Sequence, residues 1–161
     1  ILNVKKDDNF IELDFPRQKF IKCQPKRDIS DGLGKDPSTL FKGEDYFAIF
    51  DSERDIEEIK PNFEILNNLD LRGVVISAKS QNYDFVSRAF YPKYGINEDP
   101  VTGSAHTMLI AYWSKILNKN HLKAKQVSKR GGILNCINIG DRVQISGKSK
   151  LYMIGDIFLE I

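Results

Sequence analysis

The 161-residue sequence has only two cysteines, two histidines and one tryptophan, and it has no long hydrophobic run. Cys23 and Cys136 stand alone without CxxC or zinc-finger spacing, so the sequence predicts no metal site and two unpaired thiols. Its apolar stretches are far shorter than the ~20 residues that a membrane-spanning helix needs. A signal-peptide pattern is also absent from its first residues. These absences favour a cytoplasmic protein that does not enter a membrane.

The sequence also lacks a strong excess of charge of either sign. It has 24 lysine and arginine residues against 22 aspartate and glutamate residues, a net charge of +2. A dedicated nucleic-acid-binding protein usually carries a clear basic excess, so this balance argues against that class. The basic stretch 119–130 has no interleaved aromatic residues for base stacking, and a solvated strand face explains it better.

The hydrophobic pattern predicts a single α+β domain over residues 1–161. Apolar positions in and around residues 105–117 recur at helical spacing, and Ile110 and Ala111 lie off the main apolar face, which is typical of an enclosed helix. Alternating or β-branched runs predict a mostly antiparallel sheet wrapped around this one central helix. The predicted strands lie at residues 1–4, 10–15, 46–50, 74–77, 85–90, 124–128, 133–139, 142–145 and 151–159. Shorter helices are predicted at residues 27–33, 53–59 and 62–69, with Gly34 ending the first.

The segment before the central helix, residues 95–106, carries the most chemical information. Asp99 lies just before the helix, where Asp99 or Thr102 can cap the free N–H groups. Gly103 and Ser104 are small, so a ligand can approach the remaining amides closely, and such a helix start binds a carboxylate or phosphate. A capped helix start without any ligand is the alternative interpretation. No GxxxxGK[ST] or GxGxxG sequence supports a phosphate site.

Several motifs in the second half of the sequence closely resemble the phenazine biosynthesis PhzF-like protein family. They occur in the expected order between residues 72 and 148: VSRAF at 86–90, EDPVTGSAH at 98–106, YW at 112–113, QVSKRGG at 126–132 and RVQISG at 142–147. The hairpin that ends in Asp14, Phe15 and Pro16 is similar to the start of that family's second half.

The resemblance implies a diaminopimelate epimerase-like fold, in which two similar halves enclose the active site. It also implies an isomerase or epimerase that needs no cofactor and no metal, and that moves a proton on a small substrate bearing a carboxylate. Asp99 is then the expected catalytic residue. The amides around Thr102, Gly103 and Ser104 are expected to bind the substrate carboxylate.

This sequence lacks the family's Ser-Glu-Thr-like segment, which carries a catalytic glutamate, and its Cys-Gly-His-Ala-like segment. It therefore resembles the C-terminal half of the family, with the N-terminal domain absent, and its first residue, Ile1, agrees with a fragment or a processed product. General acid–base catalysis needs a group on each relevant face of the substrate, so we expect little turnover from this chain alone. An uncovered cleft wall or strand edge and the family's common homodimers predict a homo-oligomer. A non-catalytic binding or assembly module is the competing hypothesis.

Other residues have two interpretations each. Arg130, next to two glycines, can clamp a substrate carboxylate or lie ion-paired in a turn. Arg88 is expected to pair with a local carboxylate such as Glu98, and His106 to contact substrate or to bond a backbone group. Cys136 is expected to be a small buried apolar residue.

Overall fold

A computed structural model describes residues 2–7 and 9–158. Its strands are β1 (Asn3–Asp7), β2 (Phe10–Pro16), β3 (Ile21–Cys23), β4 (Thr39–Lys42), β5 (Tyr46–Ile49), β6 (Val74–Lys79), β7 (Phe85–Phe90), β8 (His121–Gln126), β9 (Gly132–Ile139) and β10 (Arg142–Lys148). Its α-helices are α1 (Arg27–Leu33), α2 (Glu53–Glu58), α3 (Phe63–Asn67) and α4 (Gly103–Leu117). A 3₁₀ turn follows β7 at Pro92–Tyr94.

The strands form one mixed sheet in the order β1-β2-β10-β9-β8-β7-β6-β5-β4-β3. Neighbouring strands are antiparallel except for the parallel pairs β5–β6 and β7–β8. Helices join the strands of both parallel pairs, because parallel neighbours need a crossover connection. The predicted α+β class with a mostly antiparallel sheet is confirmed.

The two faces of the sheet pack against different helices. Phe47, Val75 and Phe85 belong to the core cluster that surrounds α4. Their sequence neighbours Ala48 and Val86 point to the opposite face and belong to the cluster that contains α1, α2 and α3. This alternation follows from the two-residue period of a strand. The expected central helix is α4, and three short helices cover the other face of one end of the sheet.

Helix α4 is held in the core by packing and by one buried hydrogen bond. Met108, Leu109 and Ile110 are fully buried, which agrees with a helix enclosed on more than one side. The indole N–H of Trp113 donates to the hydroxyl oxygen of Ser77 at 2.9 Å. The helix ends at Asn118, whose φ of 51° lies in the left-handed region, which asparagine tolerates better than most residues.

Sequence patterns gave the wrong result at several places. The strand predicted at 151–159 is wrong for residues 151–158, which have no regular secondary structure, while residue 159 lies outside the described residues. β3 and β4 have three and four residues and were not predicted. The hairpin of β1 and β2 is confirmed and ends at Pro16 as expected, although its turn includes position 8, which is not described. None of the described helices is both long and apolar enough to span a membrane.

Candidate active site at the start of the central helix

The loop between β7 and α4 folds back beside β7. Tyr91 and Ile96 form an isolated antiparallel bridge. The amide of Asp99 then donates to the carbonyl of Ala89 at 2.9 Å. These bonds bring the half-buried Asp99 side chain close to the first turn of α4.

Arg88 and Glu98 anchor this loop to the rest of the fold. The guanidinium of Arg88 donates to both carboxylate oxygens of Glu98, at 2.7 and 3.0 Å. It also donates to the carbonyls of Ile56 and Ile59, at 3.0 and 2.7 Å. The predicted Arg88–Glu98 pair is confirmed, and these bonds tie the loop to the end of α2.

The side chain of Gln126, at the end of β8, holds the Asp99–Thr102 segment in place. Its carbonyl oxygen accepts from the Thr102 amide at 2.8 Å. Its NH₂ group donates to the Asp99 carbonyl at 2.7 Å and to the Thr102 hydroxyl at 3.1 Å. The Thr102 hydroxyl in turn donates to Oδ2 of Asp99. Just beyond β8, the hydroxyl of Ser128 donates to the Pro100 carbonyl at 2.7 Å.

The first turn of α4 has open amides. The prediction that Asp99 or Thr102 caps the helix is wrong: Thr102 is the N-cap residue, but its side chain bonds no amide, and its hydroxyl binds the Asp99 carboxylate instead. The Thr102 amide is occupied by Gln126. No acceptor within the described part of the chain bonds the amides of Gly103 and Ser104. An uncapped helix start with a positive dipole end favours a bound anion.

His106 is fully buried one turn into α4 and is held in a neutral form. Burial lowers its pKa from 6.5 to about 4, against the opposing effect of its bond to the Thr102 backbone. Its Nδ1 lies 2.7 Å from the Thr102 carbonyl, which can only accept, so Nδ1 carries the proton and Nε2 is bare. Nε2 has no partner among the described residues. His106 thus bonds a backbone group, as one of its two interpretations anticipated.

A groove of about 960 Å³ opens beside the start of α4. β10 pairs with β9 only as far as Ser146 and Asn135. Beyond that pair the two strands no longer pair with each other in the described part of the chain, and residues of both line the groove. Its described lining includes four basic side chains and no acidic one: Lys123, Lys125, Arg130 and Lys148. The groove therefore favours an anionic ligand.

Arg130 lines this groove and is exposed. No carboxylate lies within ion-pair distance of it in the described part of the chain, so the ion-paired turn is not what the structure contains. Gly131 has a φ of +69°, which favours glycine. A Cβ on Gly132 would lie 2.5 Å from Cγ2 of Val101, so this glycine allows the turn to pack against the loop before α4.

Two of the five predicted site residues line the groove, and the other three do not. Gly103 and Arg130 line the groove. Asp99, Thr102 and Ser104 are at the start of α4 and are not among the groove's lining residues. Gln126 was not predicted as a functional residue. Gln126 lies in β8 on the same face as the apolar Leu122 and Ala124. This position could have identified it from the sequence, because a buried carboxamide needs hydrogen-bond partners.

Residues 6–155 match the model of the family described as "Phenazine biosynthesis-like protein". A protein described as an uncharacterized isomerase of Pseudomonas aeruginosa is 42% identical over 158 residues, which cover 98% of this chain and 61% of that protein. One with the same description from Halalkalibacterium halodurans is 42% identical over 168 residues, which cover 99% of this chain and 62% of that protein.

A crystal structure of an Enterococcus faecalis protein of the PhzF family has a similar fold. It superposes with a TM-score of 0.89 at 41% sequence identity, and the match covers 97% of this chain and 60% of that one. The chain therefore spans about three-fifths of the length of these relatives.

Proposed function

Because this chain belongs to the phenazine biosynthesis-like protein family, we propose that it is the C-terminal domain of a cofactor-independent isomerase or epimerase. The reaction we propose is proton transfer on a small substrate that bears a carboxylate. The observation that carries the proposal is the uncapped start of α4, whose open amides follow Asp99 and Thr102 in the chain and include that of Gly103, which lines a basic groove.

In this proposal the substrate carboxylate binds at the start of α4. The amides of Gly103 and Ser104 donate to it, and the positive end of the helix dipole favours its charge. Arg130 lines the same groove and has the paired N–H groups that bind a carboxylate. The Thr102 amide is taken by Gln126, so Thr102 contributes through its hydroxyl, which donates to Asp99.

Asp99 is the proposed acid–base residue. Its Oδ2 accepts from the Thr102 hydroxyl, and no described donor bonds Oδ1. In the proposed step, Oδ1 takes a proton from a substrate carbon activated by its neighbouring unsaturated or carboxylate group, or returns a proton to that carbon. The charge of the anionic intermediate is stabilised by the donors that hold the substrate.

We propose that a complementary N-terminal domain supplies the second acid–base group and the opposite wall of the cleft. The unmatched two-fifths of the relatives leave room for such a domain. Residues 151–158 also support it, because their large apolar side chains are exposed, with Tyr152 97% and Phe158 93% exposed. Apolar surface of this kind is usually covered by a partner domain or by a second copy.

The test is an activity assay in D₂O on a panel of small unsaturated and α-chiral carboxylic acids. Proton NMR would follow isomer formation and deuterium incorporation for the isolated chain and for a longer protein that includes the complementary domain. We expect turnover only from the longer protein, and Asp99→Asn should reduce it about 10²–10⁴-fold. Asp51→Asn, at an exposed aspartate in the bend after β5, is the matched control. Equal rates from both proteins, or full activity of Asp99→Asn, would overturn the proposal.

The exposed apolar segment 151–158 also favours a second candidate, a non-catalytic module that binds or assembles through this surface. Light scattering separates the candidates when it is combined with the assay. Concentration-dependent association that is lost on deleting residues 151–158, with no turnover by either protein, would favour the module. Association together with turnover by the longer protein would favour the isomerase.

A further inference from the structure

We propose that Gln126 is a positioning residue for the reaction, because it sets the direction of the Thr102 hydroxyl that donates to Asp99. This inference rests on the proposed function, in which Asp99 transfers the proton. Gln126 is fully buried at the end of β8, and its carboxamide makes three hydrogen bonds, all to the Asp99–Thr102 segment. No other described side chain bonds both ends of that segment.

The orientation of the Gln126 carboxamide follows from its partners. The Thr102 amide can only donate, so the carboxamide atom 2.8 Å from it must be the oxygen. The carbonyl of Asp99 can only accept, so the atom 2.7 Å from it must be the nitrogen. A flipped carboxamide would lose both bonds, and the observed arrangement is therefore the only one that satisfies them.

This orientation fixes the direction of the next bond. The second Nε2 hydrogen of Gln126 points to the Thr102 hydroxyl oxygen, 3.1 Å away. A hydroxyl has one proton to donate, and Gln126 offers Thr102 no acceptor on that side. The hydroxyl proton is therefore directed to Oδ2 of Asp99. The remaining oxygen, Oδ1, is left as the atom that exchanges a proton with the substrate.

Substitutions at Gln126 and Thr102 distinguish a positioning role of the Gln126–Thr102–Asp99 hydrogen bonds from a role in packing alone. Gln126→Glu keeps an acceptor for the Thr102 amide but removes both N–H donors, so the Thr102 hydroxyl can turn to the new carboxylate and away from Asp99. Thr102→Val removes the hydroxyl while nearly keeping the side-chain shape. Thr102→Ser keeps the hydroxyl and is the matched control.

The experiment uses NMR on the chain labelled with ¹³C and ¹⁵N, without a ligand. In the native chain, we expect a slowly exchanging Thr102 hydroxyl proton that correlates with the Asp99 side-chain carboxyl carbon. Gln126→Glu should remove this correlation and shift the Asp99 carboxyl carbon as far as Thr102→Val does. The double variant should shift it no further, whereas Thr102→Ser should keep the native signals. A role confined to packing would not give this non-additive pattern.

Suppose that Thr102→Val shifts the Asp99 carboxyl signal. If Gln126→Glu then leaves this signal at its native position, the inference is overturned. If Gln126→Glu does not fold, the spectrum of the native chain provides the test. A Thr102 hydroxyl proton that correlates with Gln126 and not with Asp99 would overturn the inference. This outcome is distinct from failure of the proposed function. Full activity of Asp99→Asn would refute the role of Asp99 whatever the NMR signals show.

Discussion

Mild acid is expected to destabilise this fold through His106. Burial lowers the pKa of His106 from 6.5 to about 4, so the folded chain holds the imidazole neutral while the unfolded chain protonates it more readily. The unfolded state binds the proton more tightly. His106 therefore makes its full contribution to the free energy of unfolding above pH 6.5, and this contribution is lost as the pH falls toward 4. Each tenfold difference in proton affinity is worth about 1.4 kcal/mol, so the full loss is about 3 kcal/mol.

The useful window is pH 7.5 to 5, in which His106 alone should remove about 2 kcal/mol from the free energy of unfolding. The carboxylates with lowered pKa act mainly below this window. Asp70, for example, has a pKa of about 2, mainly because Lys26 donates to it. Stopping at pH 5 therefore separates the histidine effect from carboxylate protonation.

Urea unfolding at several pH values measures this loss directly. His106→Asn has a side-chain N–H that can donate to the Thr102 carbonyl but does not titrate, so its unfolding free energy should change little between pH 7.5 and 5. His121→Asn, at the exposed start of β8, is the matched control and should keep the native dependence. A native chain whose stability is constant over this range, or a His106→Asn variant that loses as much as the native chain, would refute the reasoning.

Three further outcomes are expected. Arg88→Met should lower the free energy of unfolding by about 3 kcal/mol, because it leaves a largely buried carboxylate and two carbonyls unpaired; a urea midpoint near the native one would count against this. Gly132→Ala should cost about 1–3 kcal/mol, since its Cβ meets a valine methyl of the loop before α4 at 2.5 Å, whereas the open Gly155→Ala should be neutral. Burial raises the pKa of Cys136 to about 12, so a disulfide reagent should modify Cys23 in the native chain and Cys136 only on unfolding; equal rates would contradict this.

Local sequence patterns were sufficient to predict most of the helices and strands of the fold. The spacing of apolar residues located α4, and Gly34, with a φ of 69°, ends α1 as predicted. β3 and β4 were missed because their few residues mix lysine with apolar side chains and depend on pairing across the sheet. The segment 151–158 has strand-like composition, but a strand forms only with a partner, and none of the described strands pairs with it.

Less of the candidate site could be predicted from the sequence. The motif around Asp99 located the start of α4, but residue types alone could not show which polar group bonds which. Thr102 could be expected to cap the helix. Its hydroxyl donates to Asp99 instead, because the NH₂ group of Gln126 donates to the same hydroxyl. The contact between Gln126 and Thr102 joins residues 24 positions apart, and the parallel pairing of β7 with β8 brings them together.

The central claim, that the start of α4 binds a carboxylate, can be tested with sodium acetate as the probe. Acetate is titrated into the ¹⁵N-labelled chain at constant ionic strength, with sodium chloride as the reference salt, and amide shifts are followed by NMR. We expect saturable shifts that are largest at the amides of Gly103 and Ser104, and that weaken in Arg130→Gln. Amides at these two positions that stay unchanged while only the surface lysines respond would contradict it.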